Sequence, residues 1–435
     1  TLSNKLLNSL DFKLTNAQSH CIQEIHDDLA SSEPMLRLLQ GDVGSGKTIV
    51  AVFALIQAVE NNFQAAIMAP TEILARQHLQ NFTHYLESLN IQIAYLSGSQ
   101  NTQERKEQLS LVESGKAKVV IGTHALFQES VSFKNLSLVI IDEQHKFGVH
   151  QRLSLTKKAN NTPHQLVMTA TPIPRSLTMS AYADLDTSVI DELPPGRQKV
   201  ETIALNNARR DELITKIRKI SDEGRQIYWV CTLIEESEAL RAESAEKTFN
   251  YLKDHLSDLT VVMIHGRLTK PEKESIMKDF ENGRINLLVA TTVIEVGVNV
   301  PNASLMIVEN AERLGLAQLH QLRGRVGRGS EKSICILMYQ SPLSSNARER
   351  LDILRQSNDG FMIAQKDLEL RGPGEILGTQ QTGIASMKIA NIVRDAYLIK
   401  EAGYYSSKML EANLDSQNAL INRWIDEEKT DYFDA

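Results

Sequence analysis

The chain alternates apolar runs of strand length with stretches whose apolar residues return at helical spacing, and it completes that alternation twice. In the first half, Met35–Leu39, Ala65–Ala69, Ile91–Leu96, Lys118–Ile121, Leu138–Asp142 and Gln165–Thr169 predict strands. Thr48–Val59, Glu72–Leu86 and Gln103–Glu113 between them predict amphipathic helices. Strand and helix in strict succession imply βαβ units and a parallel sheet. The segment Asp191–Arg197, with two prolines and a glycine, suits neither element and predicts a linker. The alternation then restarts, with strands over Val200–Leu205, Gln226–Cys231, Val261–His265, Ile285–Ala290, Ser304–Val308 and Ser333–Met338. Helices such as Ala208–Ser221 and Pro271–Phe280 separate them. From about Ser341 the strand signal ends. Asn346–Gln356 and Phe361–Leu370 predict a helical hairpin, followed by a glycine-rich loop from Arg371 to Gly383 and further helix. The expected fold class is α/β: parallel-sheet domains at 1–190 and 200–340, a linker at 191–199, and a hairpin, loop and helices at 341–435.

Composition narrows the class. With 42% hydrophobic and 23% charged residues, the chain reads as a soluble multidomain protein. No apolar stretch reaches the roughly 20 residues of a membrane span, and the first residues do not form a signal peptide. Cys21, Cys231 and Cys335 lie far apart without metal-ligand spacing, which predicts buried thiols in a reducing cytoplasm. A net charge of −7 argues against a uniformly basic nucleic-acid binder but leaves room for a local basic groove.

The chemistry starts at Gly41-Asp42-Val43-Gly44-Ser45-Gly46-Lys47-Thr48, between a predicted strand and a predicted helix. Glycines at 41, 44 and 46 let the backbone curl, so that the N–H groups around Ser45 point at a phosphate, helped by the helix N-terminus. Lys47 can reach the β/γ-phosphates and the Thr48 hydroxyl can ligate Mg²⁺. These residues predict ATP binding. Asp142 and Glu143 follow a hydrophobic strand, at the sheet edge where ligands of parallel sheets sit. Asp142 is placed to hold Mg²⁺ with Thr48, and Glu143 to orient and deprotonate the attacking water. A solvated acidic strand end is the plainer alternative. In the second half, Gln321-Leu322-Arg323-Gly324-Arg325-Val326-Gly327-Arg328 offers Arg325 and Arg328 as a cationic fork for a γ-phosphate, or else a basic surface patch.

The order of these motifs resembles the superfamily-two helicases, which implies two RecA-like domains. Leu14–Gln18 resembles the adenine-recognising Q motif, with Gln18 facing the base. The segments around Thr71, Thr123-His124 and His265-Gly266 resemble motifs that grip a nucleic-acid strand. Thr169-Ala170-Thr171-Pro172 resembles the segment coupling hydrolysis to domain motion, and Thr291-Thr292 with Glu295–Asn299 the motif touching both ATP and strand, although Asn299 stands where Asp is common. Asp142–Val149, Leu185–Arg197, Gly315–Arg325 and Asp367–Gly383 are similar to the RecG branch. That resemblance implies ATP-driven movement on double-stranded DNA, remodelling of stalled forks and branch migration of Holliday junctions. It also implies a translocation element containing Arg371, Gln380 and Gln381, which could instead be a cap on the second domain. His145 would sense hydrolysis for Gln321, or simply pack beside its strand. The resemblance admits a single-strand-binding protein as a partner, and the chain is expected to act as a monomer. RecG-type proteins carry an N-terminal wedge domain; nothing before Leu14 resembles one, so the motor portion is expected here. Three rivals remain: a transcription-repair coupling translocase, an RNA helicase, and a non-catalytic nucleotide-dependent binding module.

Overall fold

A computed structural model describes residues 1–143, 162–170, 185–194, 197–232, 238–291, 300–329, 331–371 and 395–410, with 417, 419 and 423. The chain opens with helices α1 (Leu2–Ser9) and α2 (Asn16–Leu29). The first sheet then develops as β1 (Leu36–Gly41), α3 (Lys47–Glu60), β2 (Gln64–Met68), α4 (Glu72–Leu86), β3 (Ile93–Leu96), α5 (Thr102–Glu113), β4 (Val119–Gly122), β5 (Leu136–Asp142), β6 (His164–Thr169) and β7 (Asp186–Ile190). All seven strands are parallel, in the order β3-β4-β2-β5-β6-β1-β7.

The second unit runs β8 (Glu201–Asn206), α6 (Arg210–Asp222), β9 (Gln226–Val230), α7 (Glu238–His255), β10 (Val261–Ile264), α8 (Lys270–Glu281), β11 (Leu287–Ala290), β12 (Ala303–Val308), α9 (Leu316–Arg323) and β13 (Ile334–Tyr339). Its six strands are also parallel, in the order β10-β11-β9-β12-β13-β8. Helices α10 (Ser345–Gln356), α11 (Gly360–Arg371) and α12 (Ile399–Leu410) follow.

Every strand forecast from the apolar runs is present, within a few residues at each end. Strand β7 was not forecast, because Asp186-Thr187-Ser188 is polar. It sits at the sheet edge beside β1, where Ser188 accepts from Arg37 (3.0 Å) and donates to Glu24 (2.5 Å). Hydrogen bonding rather than apolar burial recruits this strand.

Two local features aim the first domain's helices. The Thr15 hydroxyl accepts from Gln18 N and the Gln18 amide accepts from Thr15 N, a reciprocal capping box that starts α2. Helix α3 is buried along nearly all its length, from Ile49 through Ile56 to Val59. It forms one continuous core with Leu39 of β1, Ile67 of β2 and Ile140 of β5. The phosphate loop is thereby anchored at both ends by buried elements.

The helical hairpin is part of the second domain's core. Leu351 and Leu354 of α10 and Ile363 of α11 join Leu319 and Leu322 of α9 and Leu288 and Met306 of the sheet in one cluster. Burial of each such side chain is worth about 2 kcal/mol. Hairpin and α9 are therefore fastened together, so whatever moves one moves the other.

Candidate active site

Because all strands of each sheet are parallel, their carboxyl ends share one edge. Gly41 ends β1, Asp142 ends β5 and Thr169 ends β6; Thr71 and Thr123 lie just past β2 and β4. In the second sheet His265 and Thr291 lie just past β10 and β11, and α9 follows β12. One cavity of about 820 Å³ lies between the two edges. Its walls include Gln18, Gly44, Gly46, Lys47, Thr48, Asp142 and Glu143 from the first domain, and Gln321, Arg325 and Arg328 from the second.

The loop from Gly41 to Thr48 curls through left-handed backbone at Gly44 (φ 76°) and Gly46 (φ 89°), which side chains disfavour. A Cβ at either position would also collide, with the Arg197 guanidinium at 44 and the Gln18 amide at 46. Gln18 donates to Ser45 O (2.8 Å), so its amide braces the loop as well as lining the cavity. The Ser45 hydroxyl is fully buried without a hydrogen-bond partner among the described residues. Lys47 Nζ donates to Gly41 O (2.7 Å) and Asp42 O (2.9 Å). Burial pushes its ammonium down, against the attraction of Asp142, Glu143 and Asp42.

Burial would raise the Asp142 carboxyl, but a hydrogen bond and charge interaction with His78, with help from Lys47, outweigh it and hold it below the usual range. His78 Nε2 lies 2.8 Å from Asp142 Oδ2. An anionic Asp142 and the Thr48 hydroxyl on one cavity wall are hard oxygen donors, which suits Mg²⁺. Glu143 has left-handed backbone (φ 55°) while its N–H donates to Met168 O at 2.9 Å. A non-glycine residue held there stores about 1–2 kcal/mol, a form of strain found at functional sites.

On the facing wall, burial first, then Arg325 and Arg197, push the Arg328 guanidinium down to about 9. Lys47, Arg197, Arg325 and Arg328 thus crowd positive charge where a polyphosphate would relieve it. The domains also touch directly. His320 Nε2 bonds Asp42 Oδ1 at 2.7 Å, and beside it Arg197 of the linker donates to Val43 O. Burial raises the Asp42 carboxyl, yet the hydrogen bond from His320, the Val43 N–H and the Lys47 charge hold it below its ordinary value.

The strand-gripping and coupling residues expected from sequence divide into four groups. Thr71 sits at the N-cap of α4, its hydroxyl accepting from Leu74 N at 3.4 Å. Thr123, Thr169 and Thr291 are buried, at 1%, 4% and 5% exposure, so a grip on phosphates here would run through neighbouring backbone N–H groups rather than these hydroxyls. His265 is half-buried at the same edge as Thr291. His145, Thr171, Thr292, Gln380 and Gln381 lie outside the described residues, as do Glu295–Asn299; Arg371 ends α11 and its side chain is likewise not described. Sequence reading missed His78, Arg197 and His320. Arg197 was visible as the end of the Pro-Pro-Gly-Arg linker, but nothing in spacing alone aims it at the phosphate loop.

Paired parallel-sheet domains with a phosphate loop on one lip and arginines on the other define a helicase-type motor core. Family models agree in order along the chain: DEAD/DEAH box helicase over 15–180, helicase conserved C-terminal domain over 209–330, and ATP-dependent DNA helicase RecG, domain 3, C-terminal, over 357–429. The chain is 56% identical over 431 residues to the ATP-dependent DNA helicase RecG of Escherichia coli K12, covering 98% of this chain and 62% of that one. It is 46% identical over 399 residues to that of Bacillus subtilis, covering 92% and 58%. A structure of RecG bound to a three-way DNA junction superposes with TM-score 0.77 and 44% identity, over 92% of this chain and 52% of that one. Saccharomyces cerevisiae Dbp5 bound to RNA and ADP BeF3, at 17% identity, 82% and 90% coverage and TM-score 0.60, shares the fold alone. The chain is thus similar to RecG-type helicases over 92–98% of its own length, and spans 58–62% of the length of these two curated relatives.

Proposed function

We propose that the chain is the motor of an ATP-dependent double-stranded DNA translocase that remodels stalled forks and branch-migrates Holliday junctions. The observation that carries this reading is the single cavity walled by Lys47, Asp142 and Glu143 on one domain and Gln321, Arg325 and Arg328 on the other. Lys47 leaves the carbonyls of Gly41 and Asp42 to hold the β/γ-phosphates. Thr48 and Asp142 would hold Mg²⁺, which when bound would supply charge neutralisation at the phosphates. Glu143 accepts the proton of the attacking water. Arg325 and Arg328 stabilise the charge developing on the γ-phosphate, so hydrolysis requires a closed cleft. Release of product relaxes the cleft, and the alternation steps the motor along the duplex.

Branched double-stranded DNA is the proposed substrate, with a single-strand-binding protein as an accessory partner and a monomer as the working unit. Contacts with sugar and phosphate carry no base code, so the motor should show little sequence preference and a steep salt dependence. The test is ATP hydrolysis stimulated by forked or three-way duplex DNA, compared with RNA, in the wild-type chain and in Lys47→Ala. DNA-specific stimulation that vanishes in the variant supports the reading. Equal stimulation by RNA, or unchanged turnover in Lys47→Ala, contradicts it.

A further inference from the structure

The first domain's phosphate loop meets the second domain and the linker at two residues, Asp42 and Val43. His320 bonds the Asp42 carboxylate, Gly324 lies so close to Val43 that a Cβ there would come within 2.9 Å of the Val43 Cβ, and Arg197 caps the Val43 carbonyl. The polar contact continues inward. Arg323 Nη2 is 2.8 Å from His320 Nδ1, and Arg323 Nη1 donates to Leu354 O (2.8 Å) and Ser357 O (2.7 Å), at the last turn of α10 where the hairpin reverses.

A guanidinium can only donate, so His320 Nδ1 must be the acceptor and its Nε2 must carry the hydrogen given to Asp42. Every bond in the chain is thereby assigned: hairpin carbonyls, Arg323, His320, Asp42. His320 and Arg323 are only 5% and 3% exposed. A buried guanidinium is costly unless its donors are satisfied, so shifting any member of this series disturbs the next.

We propose that Asp42, His320 and Arg323 form a coupling strut between the phosphate loop and the helical hairpin, separate from the arginines at 325 and 328. The proposal rests on the motor reading above. His320 and Arg323 act as positioning residues, since neither lines the cavity. The strut senses nucleotide through Lys47, whose ammonium holds the Asp42 carbonyl in this structure. In the motor reading Lys47 leaves both loop carbonyls for the triphosphate, so the backbone of the residue that anchors the strut is released as the substrate is gripped. The strut also explains why the bonds end on backbone carbonyls of α10: those report the position of the hairpin as a body, not the rotamer of one side chain.

The experiment measures, in the same samples, DNA-stimulated ATP turnover and displacement of a third strand from triplex-bearing duplex DNA. For His320→Leu we expect turnover and KM for ATP within about threefold of wild type while displacement per ATP falls roughly tenfold or more. Losses of equal proportion in turnover and displacement, or no change in either, overturn the strut. Should the leucine variant fail to fold, His320→Gln and His320→Asn replace it. The longer amide can accept from Arg323 and still donate to Asp42, whereas the shorter one cannot span both, so Gln should keep displacement per ATP and Asn lose it. Equal behaviour of the two overturns the strut. A wild-type chain with no DNA-stimulated turnover instead sinks the motor reading, and the strut with it.

Discussion

Lys47 is held by two loop carbonyls while burial works against its charge and three carboxylates work for it. Replacing it by Ala removes the ammonium that would pass from loop to phosphate, and ATP turnover should fall by about two orders of magnitude or more. His78 offers a subtler test. Its ring fixes the Asp142 carboxylate at 2.8 Å, so His78→Leu should raise the Mg²⁺ concentration needed for half-maximal turnover by about tenfold or more, in a Mg²⁺ titration of ATPase rate. An unchanged requirement would show that Asp142 needs no orienting partner. Arg328 pulls in two directions. Burial beside Arg325 and Arg197 disfavours its charge, so Arg328→Gln should make the nucleotide-free protein more heat-stable by about 1 kcal/mol while turnover drops by roughly 10³-fold. Thermal melting and a rate assay on the same preparation check both signs. A variant less stable and equally active would contradict the crowding argument. The residues Lys47, Asp142, Glu143, Arg325 and Arg328 could be picked from sequence because each sits at a fixed offset from a glycine or a strand end. His78, Arg197 and His320 could not, because each works through a partner 64, 154 or 278 positions away.

At the scale of elements, hydrophobic runs were a sufficient guide wherever a strand is covered on both faces. They failed at β7, whose inward residue Ser188 is satisfied by Arg37 and Glu24 instead of by packing. The hairpin shows the converse: its two helices were legible, but which surface they cover depends on Leu351, Leu354 and Ile363 meeting α9, and no period reports that. Truncating Leu351 or Ile363 to Ala should cost about 2–5 kcal/mol and lower the denaturant midpoint of the second domain. A loss below about 0.5 kcal/mol would mean the hairpin is an appendage rather than part of that core. Gly324→Ala tests the fit of α9 against the loop. The added methyl would meet Val43 at 2.9 Å, so ATP turnover should drop without loss of fold. Wild-type turnover in that variant would show that the two elements need not stay so close.

For the whole molecule the question is how two separately folded sheets come to share one site. Each sheet brings its functional residues to its carboxyl edge by topology alone, which is why a site could be forecast at all. The cleft between the edges is a property of neither domain's sequence. It depends on the linker and on the approach of Gly324 to Val43. The most direct test of a shared site is the Arg325→Ala/Arg328→Ala double variant, measured for ATP affinity and for DNA-stimulated ATP turnover. The account predicts affinity within about tenfold of wild type and turnover reduced roughly 10³-fold or more, because the first domain binds and the second completes the chemistry. Turnover close to wild type would contradict it.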